Sequence, residues 1–381
     1  MASKLMPVYL DCNATSPMEP AVQDAVLRFM AEEYGNAGSR THEYGNIAKQ
    51  AVQRARDQVA AALAVERDEV IFTSGATESN NLAILGMAPF GEQHERRHII
   101  TTALEHKAVL EPIEALRNRG FHVTVLPSEP GGYITPDSLK AALRADTLLV
   151  SVMHVNNETG VEQPINEFCG VLADHPAYFH VDAAQGFGKH NSPLRHHRVD
   201  LISISAHKIY APKGVGALII RRRGYDRPPL VPLTFGGGQE RGLRPGTLPV
   251  PLIVGLGLAA DLATKHGSAR QQTCAAFRER VLRGIAPLGP QCNGDPERVL
   301  PHVLNLAIPG LDAEAFMVAT KELIAVSNGS ACTSQSYQPS HVLKAMGLSE
   351  ERMQSSLRFS WCHMTPDVDW DEVVKAVERV R

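Results

Sequence analysis

A lysine that follows a serine and a histidine is the first feature of this sequence that could do chemistry. Ser205, His207 and Lys208 come after the apolar run 199–202, which is typical of the end of a buried strand. A lysine held in a partly dry pocket loses its proton more easily than a surface lysine and can act as an amine nucleophile. A solvated surface lysine is the alternative, and the rest of the chain has to decide between the two.

Two other strand ends carry polar groups that could bind a ligand. Gly75, Ala76 and Thr77 stand where a predicted strand meets a predicted helix. Free backbone N–H groups at a helix N-terminus suit a phosphate, although an ordinary capped helix is the alternative. Asp182 and Gln185 follow another predicted strand, where the aspartate could bond a protonated ring nitrogen and the glutamine a neighbouring oxygen.

A phosphate site, a strand-end aspartate and a strand-end lysine together fit one cofactor, pyridoxal 5'-phosphate. Lys208 would form the Schiff base, and Asp182 would keep the pyridine nitrogen protonated so that the ring acts as an electron sink. His106 also follows a predicted strand and could stack on the ring, although a lone histidine is more often structural. These residues therefore predict one site rather than three unrelated features.

The elements that would position these groups alternate between strand and helix. The predicted strands are 69–73, 98–102, 121–126, 147–153, 177–181, 199–203 and 216–220, with helices at 42–64, 77–87, 106–119, 136–144 and 165–173 between or before them. This alternation predicts an α/β fold with a mostly parallel sheet, whose ligands bind at the carboxyl ends of the strands. A long helix at 252–288 and later mixed elements predict a smaller α+β domain. We expect a large domain at 16–251 and a smaller one made of 1–15 and 252–381.

Composition excludes several classes of function. The 381 residues carry a net charge of -3, so no electrostatic argument favours nucleic acid or an anionic membrane as a partner. No apolar run is long enough to span a membrane, and residues 1–7 lack the apolar core of a signal peptide. No CxxC pair occurs, so no metal site is predicted, and few cysteines in a long chain disfavour a disulfide framework. A reducing, cytoplasmic location is the default expectation.

Several longer motifs in this chain resemble those of the cysteine desulfurases of the NifS/IscS type. These enzymes belong to the class V aminotransferase superfamily of fold type I pyridoxal-phosphate enzymes. The resemblance covers nearly the whole chain, and the motifs that carry it are 73–79 (TSGATES), 105–110 (EHKAVL), 154–158 (HVNNE), 180–182 (HVD), 205–208 (SAHK), 236–241 (GGGQER) and 329–334 (GSACTS). The resemblance implies a mostly parallel seven-stranded sheet in the large domain, and removal of sulfur from L-cysteine to give L-alanine.

The resemblance also implies a role for each matching residue. Lys208 would hold the cofactor and His106 would stack on it and assist proton transfers. The other cofactor-binding residues would be Gly75, Ala76, Thr77, Asn157, Asp182, Gln185, Ser205, His207 and Thr247. Of these, Thr247 would reach the phosphate from the other subunit, which implies a homodimer. Asn157 and Arg358 would hold the substrate carboxylate, with Asn36 in a nearby loop.

Cys332 would be the nucleophile that receives the sulfur as a persulfide. Its neighbours are small and polar, which is typical of an exposed loop, and a thiol must be accessible and partly ionised to attack. Cys169 and Cys274 fall in predicted helices, where we expect buried structural thiols. Cys12 lies in a turn that lines the active site in the relatives, so it is the one additional thiol of interest.

Two groups of alternatives remain open. Another enzyme of the same fold, a selenocysteine lyase or an aminotransferase, would share the cofactor site, but an aminotransferase needs no thiol such as Cys332. A non-catalytic binding or scaffold protein would not need Lys208, Asp182 and Arg358 together. The sulfur acceptor could be an iron–sulfur scaffold or a component of tRNA- or DNA-thiolation machinery.

Overall fold

The structure of the protein is a computed structural model that describes residues 6–328 and 340–380. Its largest sheet has seven strands in the order β2-β8-β7-β6-β5-β3-β4. These strands are β2 (Val70–Thr73), β3 (His98–Thr102), β4 (His122–Leu126), β5 (Thr147–Met153), β6 (Tyr178–Asp182), β7 (Leu201–Ser205) and β8 (Gly216–Ile220). All neighbours pair in parallel except β8, which is antiparallel to both β2 and β7. The predicted mostly parallel seven-stranded sheet is confirmed.

Helices cover this sheet because its strands are apolar on both faces. Every residue of β5 and β8 is buried, as expected for strands with helices on either side. The helices before the last strand are α1 (Pro20–Ala31), α2 (Glu43–Leu63), α3 (Ala76–Leu85), α4 (Ala88–Gln93), α5 (Lys107–Arg117), α6 (Pro136–Ala142) and α7 (Ile165–Val171). Helix α4 is short and was not predicted.

A second core lies around the carboxyl-terminal part of the chain. Its strands are β1 (Val8–Tyr9), β9 (Gln291–Cys292), β10 (Val303–Ala307), β11 (Ile324–Ala325) and β12 (Ser356–Ser360), and its helices are α9 (Ala313–Thr320) and α12 (Trp370–Glu378). Two short helices of the same part of the chain, α10 (His341–Ala345) and α11 (Glu350–Gln354), place their buried residues in the core of the large sheet instead. β1 pairs in parallel with β11, and Leu10 packs in the same apolar cluster as Trp361. The first residues therefore lie with the last part of the chain, as the expected domain division requires, although its boundaries remain a prediction.

One long helix, α8 (Val250–Ile285), joins the two cores. Val250 and Leu256 belong to the core of the large sheet, whereas Phe277 and Val281 belong to the second core. At about 1.5 Å per residue such a helix is roughly 54 Å long, enough to reach both. No helix among the described residues is long and apolar enough to cross a membrane.

One predicted strand was placed two residues too early. The strand expected at 199–203 is observed at Leu201–Ser205. Ser203 looks polar but is fully buried, because its hydroxyl bonds the ring of His180 on the neighbouring strand at 2.9 Å. The strand therefore continues up to Ser205, and Lys208 follows it after a single short turn.

Candidate active site

A cavity of about 460 Å³ opens at the carboxyl ends of the parallel strands. Eleven of the residues predicted to act in the site line it: Gly75, Ala76, Thr77, His106, Asn157, Asp182, Gln185, Ser205, His207, Lys208 and Arg358. They come from five different strand ends and from β12, so the fold brings together groups that are up to 283 positions apart. The expectation that these side chains share one edge of the sheet is met.

Lys208 is held at the floor of the cavity by two backbone carbonyls. Its Nζ donates to the carbonyl oxygens of Asn13 at 2.6 Å and Ala14 at 2.8 Å. Burial, helped by the positive charges of Lys189 and Arg358, lowers the pKa of Lys208 from 10.5 to about 7. A substantial fraction of this amine is therefore uncharged near neutral pH, as a nucleophilic lysine requires.

Asp182 is a buried carboxylate whose two oxygens are both positioned. The Asn80 side-chain amide donates to its Oδ2 at 2.7 Å, and the backbone N–H of Ala184 donates to its Oδ1 at 3.0 Å. Each oxygen keeps a free lone pair, so the carboxylate can still accept a bond from a ligand in the cavity. A protonated ring nitrogen is a suitable donor for such a buried anion.

The start of α3 forms a narrow polar pocket beside β7. Gly75 has φ +154°, a conformation that favours glycine, and it places the first N–H groups of α3 at the cavity. Gly216 allows the strands to approach, because a Cβ there would lie 2.4 Å from the carbonyl oxygen of Ile204 and 2.6 Å from Cα of Gly75. Ser205 adds a buried hydroxyl next to these N–H groups, which completes a donor set typical of phosphate sites.

His106 stands at the first position before α5 and lines the cavity. Its Nδ1 accepts the backbone N–H of Ala108 at 3.1 Å, so the proton of the neutral ring lies on Nε2. The carbonyl of the preceding residue, Glu105, is bonded to the ring of His341 at 2.9 Å. These contacts hold the His106 backbone while its ring remains exposed to the cavity.

Arg358 is buried on β12 with its guanidinium only partly engaged. Its Nη2 donates to Asp11 at 2.5 Å and its Nη1 donates to the carbonyl of Asn157 at 3.0 Å. Its Nε is buried and has no protein partner. A buried cationic donor of this kind suits a carboxylate ligand, which guanidinium groups bind well.

Two predicted residues that the structure describes do not line this cavity. Asn36 and Thr247 line a second cavity of about 310 Å³ together with Glu240 and Arg241. Within one chain they are therefore separate from the site around Lys208. The predicted nucleophile, Cys332, lies outside the described residues.

The other cysteines also have defined surroundings. Cys169 and Cys274 are buried, as expected from their predicted helices. Cys12 does not line the cavity, because it is buried against Cys362 and Tyr210 while its neighbour Asn13 faces the site.

Sequence reasoning missed several residues that complete the site. Asn80 lies one helical turn after Thr77, so helical spacing from the predicted phosphate site could have identified it. Asn13, besides accepting from Lys208, accepts from the Gln185 side chain at 2.9 Å. Asp11 gave no signal of its own, since its partner Arg358 is 347 positions away.

The cavity fits pyridoxal phosphate on its own residues. An unprotonated lysine, a buried carboxylate with free lone pairs and an N–H-rich helix start suit the aldehyde, the ring nitrogen and the phosphate, respectively. The chain belongs to the aminotransferase class-V family, whose model matches residues 8–373.

Three relatives narrow the activity. The chain is 46% identical over 379 residues to a cysteine desulfurase IscS of Anaeromyxobacter sp. (strain Fw109-5), covering 99% of this chain and 93% of the relative. Its sequence is 56% identical to that of DndA from Streptomyces lividans, whose crystal structure matches with a TM-score of 0.82 over 91% of this chain and 97% of DndA. The structure of SspA in complex with cysteine matches with a TM-score of 0.82 over 94% of this chain and 100% of SspA, at 36% sequence identity. The activity of this chain is that of a cysteine desulfurase, and its cofactor is pyridoxal phosphate.

Proposed function

We propose that Cys332 is the nucleophile that carries the sulfur as a persulfide, and that the residues around Lys208 prepare the substrate for its attack. The main support is the position of the two described ends of the segment that contains Cys332. Before it, Ser327 exchanges backbone hydrogen bonds with Arg358. After it, the Ser340 hydroxyl donates to the buried Glu158 side chain at 2.5 Å. Cys332 is five positions after Ser327 in the chain, so the Cα atoms of the two residues can be at most about 18 Å apart.

The substrate carboxylate would bind between Arg358 and Asn157. Arg358 lines the cavity with a cationic side chain, and Asp11 holds its guanidinium in place. This orients the amino acid with its amine toward Lys208.

The bound cofactor supplies an electron sink for the substrate's α-carbon. Lys208, as a neutral amine, takes the α-proton and can return a proton during the reaction. The Cys332 thiolate bonds to the substrate sulfur as the carbon–sulfur bond breaks, and the carbon takes the electron pair and then a proton. The products are L-alanine and a persulfide on Cys332.

We also propose a homodimer in which Thr247 and Asn36 contribute to the partner's site. Both residues are exposed in the single chain. Tyr34 and Tyr44, whose rings stack at 5.5 Å, are exposed nearby in sequence, as expected of a surface that another subunit covers. The five described cysteines are free thiols, which supports a reducing, cytoplasmic location.

The partner of the persulfide is proposed to be a sulfur-acceptor protein, either an iron–sulfur scaffold or a component of tRNA- or DNA-thiolation machinery. No direct contact with nucleic acid is proposed, because the net charge is -3. Incubating the persulfidated enzyme with each candidate acceptor, followed by intact mass measurement, would identify the acceptor by a gain of one sulfur.

The nucleophile is tested by Cys332→Ser. We expect release of alanine and sulfide from cysteine to disappear while the yellow cofactor absorbance remains. Cys292→Ser, which removes the exposed thiol among the described cysteines, is the matched control and should keep full turnover. If Cys332→Ser turns over normally, the assignment of the nucleophile is wrong; if the wild-type protein is colourless and cannot be reconstituted, the whole site assignment fails.

A further inference from the structure

Outside the cofactor cavity, two histidines converge on one carboxylate oxygen. Nε2 of His154 lies 3.0 Å from Oε1 of Glu162, and Nδ1 of His190 lies 2.8 Å from the same oxygen. One atom from each residue can be chosen so that all three lie within 4.8 Å of one another. Nothing in the proposed desulfurase reaction uses these residues.

We propose that His154, Glu162 and His190 form a binding site for a divalent cation of the zinc type. Two imidazoles and one carboxylate are a ligand set that zinc commonly takes, with one position left open. Ligands at about 2.0–2.2 Å around a tetrahedral ion lie roughly 3.4 Å apart. The two nitrogen–oxygen pairs, at 3.0 and 2.8 Å, would each have to open by about half an ångström.

The burial of the three side chains is graded in the way a metal site requires. His154 is fully buried, Glu162 is 21% exposed and His190 is 37% exposed. An ion can therefore enter from the side of the more exposed His190 and reach the buried ring of His154. The surface groove there, of about 350 Å³, also carries Glu167 and Glu297, whose carboxylates would attract a cation.

The ring of His154 is fixed in its orientation by the backbone. A Cβ on Gly186 would lie 1.9 Å from its Nδ1, so only glycine leaves room for the ring. That Nδ1 is buried without a hydrogen-bond partner, so hydrogen bonding alone leaves the imidazole half satisfied. The Nε2 side of the ring, which faces Glu162, is therefore the side at which a metal ion could bond.

The charge of Glu162 suits the site as well. Both imidazoles face its carboxylate, and a carboxylate is a usual oxygen ligand for zinc. A dication would bring the three residues to a net charge of +1, without leaving any buried anion unpaired.

A metal ion here would join two segments that line the cofactor cavity. His154 and Glu162 flank a hairpin, closed by the bridge between Val155 and Glu162, that carries Asn157. His190 follows the loop that carries Gln185. The ion would therefore hold the substrate-binding hairpin against the loop after β6, as a structural site rather than a catalytic one.

Zinc binding to the cofactor-loaded protein tests the site. The background is Cys332→Ser with Cys292→Ser, so that neither the predicted nucleophile nor the exposed Cys292 binds the metal. Both this background and the same background with His190→Ala are first treated with a chelator and then dialysed to equilibrium against micromolar zinc. The background should bind one more zinc ion per chain than the protein with His190→Ala. His197→Ala, which removes an exposed histidine outside the cluster, should bind as much zinc as the background.

Two further readouts separate a metal site from a hydrogen-bonded cluster. Cobalt(II) should give visible bands of nitrogen and oxygen ligation that are absent in Glu162→Gln. Zinc should raise the melting temperature of the background but not of His190→Ala. If the three residues were only a hydrogen-bonded cluster, His190→Ala would lower the melting temperature by the same amount with and without zinc. Equal zinc content in the background and His190→Ala, or cobalt bands unchanged in Glu162→Gln, would overturn the proposal.

Discussion

At the residue scale, the protonation of Lys208 is set by its surroundings rather than by its own chemistry. Removing the amine from water costs more for its charged form, and the nearby charges of Lys189 and Arg358 add to this cost. His207, beside it, has its pKa lowered to about 4 by burial and by Lys208 itself, so it stays neutral around pH 7. The cavity therefore holds one amine whose charge changes in the physiological range.

We expect the rate at which the cofactor-free enzyme captures pyridoxal phosphate to follow this protonation. Only the neutral amine reacts, so the rate should rise about tenfold per pH unit below pH 7 and level off above it. Stopped-flow absorbance of the bound cofactor measures it. Lys189→Gln removes a neighbouring positive charge, which raises the pKa of Lys208 and should move the midpoint to higher pH. A wild-type rate that keeps rising toward pH 10 would contradict the lowered pKa.

Asp11 is a positioning residue for Arg358. Asp11→Asn keeps the shape of the side chain but turns a charge-assisted bond into a neutral one, a loss of about 1.4 kcal/mol or roughly tenfold in binding. We expect the KM for cysteine to rise about tenfold with a smaller change in kcat and normal cofactor absorbance. Asp174→Asn, an exposed aspartate, is the control. An unchanged KM would show that Arg358 is oriented by Asn157 alone.

At the element scale, the site depends on how closely β8 approaches its neighbours. Gly216 is the first residue of β8. The backbone of Gly216 packs between Ile204 on β7 and the turn at Gly75. A side chain there must displace backbone atoms, which cannot move as a flexible side chain would. The phosphate end of the cavity is therefore shaped by one glycine that belongs to no motif for the cofactor.

Gly216→Ala should lower both stability and cofactor retention. We expect a loss of about 1–3 kcal/mol in the free energy of unfolding, measured by urea denaturation of the holoenzyme, and faster release of the cofactor on dialysis. Gly170→Ala is the matched control, because nothing lies within 4 Å of a Cβ there, and it should be neutral or gain up to about 1 kcal/mol. Equal stability of the two variants would contradict the close approach.

Elements with uniform patterns could be predicted from the sequence, and those with mixed patterns could not. The strands 147–153 and 216–220 have the predicted bounds because both are mostly apolar over their whole length. The strand ending at Ser205 was misplaced because Ser203 is bonded to His180 on the neighbouring strand, a contact that no local pattern reveals. Short helices such as Ala88–Gln93 have too few residues for a period to be recognised.

At the scale of the whole molecule, the chain order hides how the site is assembled. The lining residues were predictable, because each stands at a strand end or in a recognisable motif. Their partners were not, since Asp11 and Arg358, or His154 and His190, meet only once the sheet has formed. The cation site is the clearest example: its ligands have no spacing that a sequence pattern would identify.

The arrangement of subunits determines whether Thr247 contributes to the cofactor site of its own chain or to that of a partner chain. In the single chain it lines a different cavity from Lys208. If it acts across a homodimer, a mixed dimer of a Lys208→Ala chain and a Thr247→Ala chain contains one intact site. A mixed dimer of the wild type and the double variant contains none, because each site then lacks one of the two residues.

We therefore expect the first mixed dimer to keep about half of the wild-type desulfurase activity, and the second to fall to the level of a Thr247→Ala site. Two different affinity tags isolate the mixed species, and light scattering should give twice the chain mass of 41.4 kDa. Both dimers carry the same set of substitutions, so differences in expression or folding affect them equally. The reverse order of activities would place Thr247 in the site of its own chain, and a protein of single chain mass would exclude the shared site altogether.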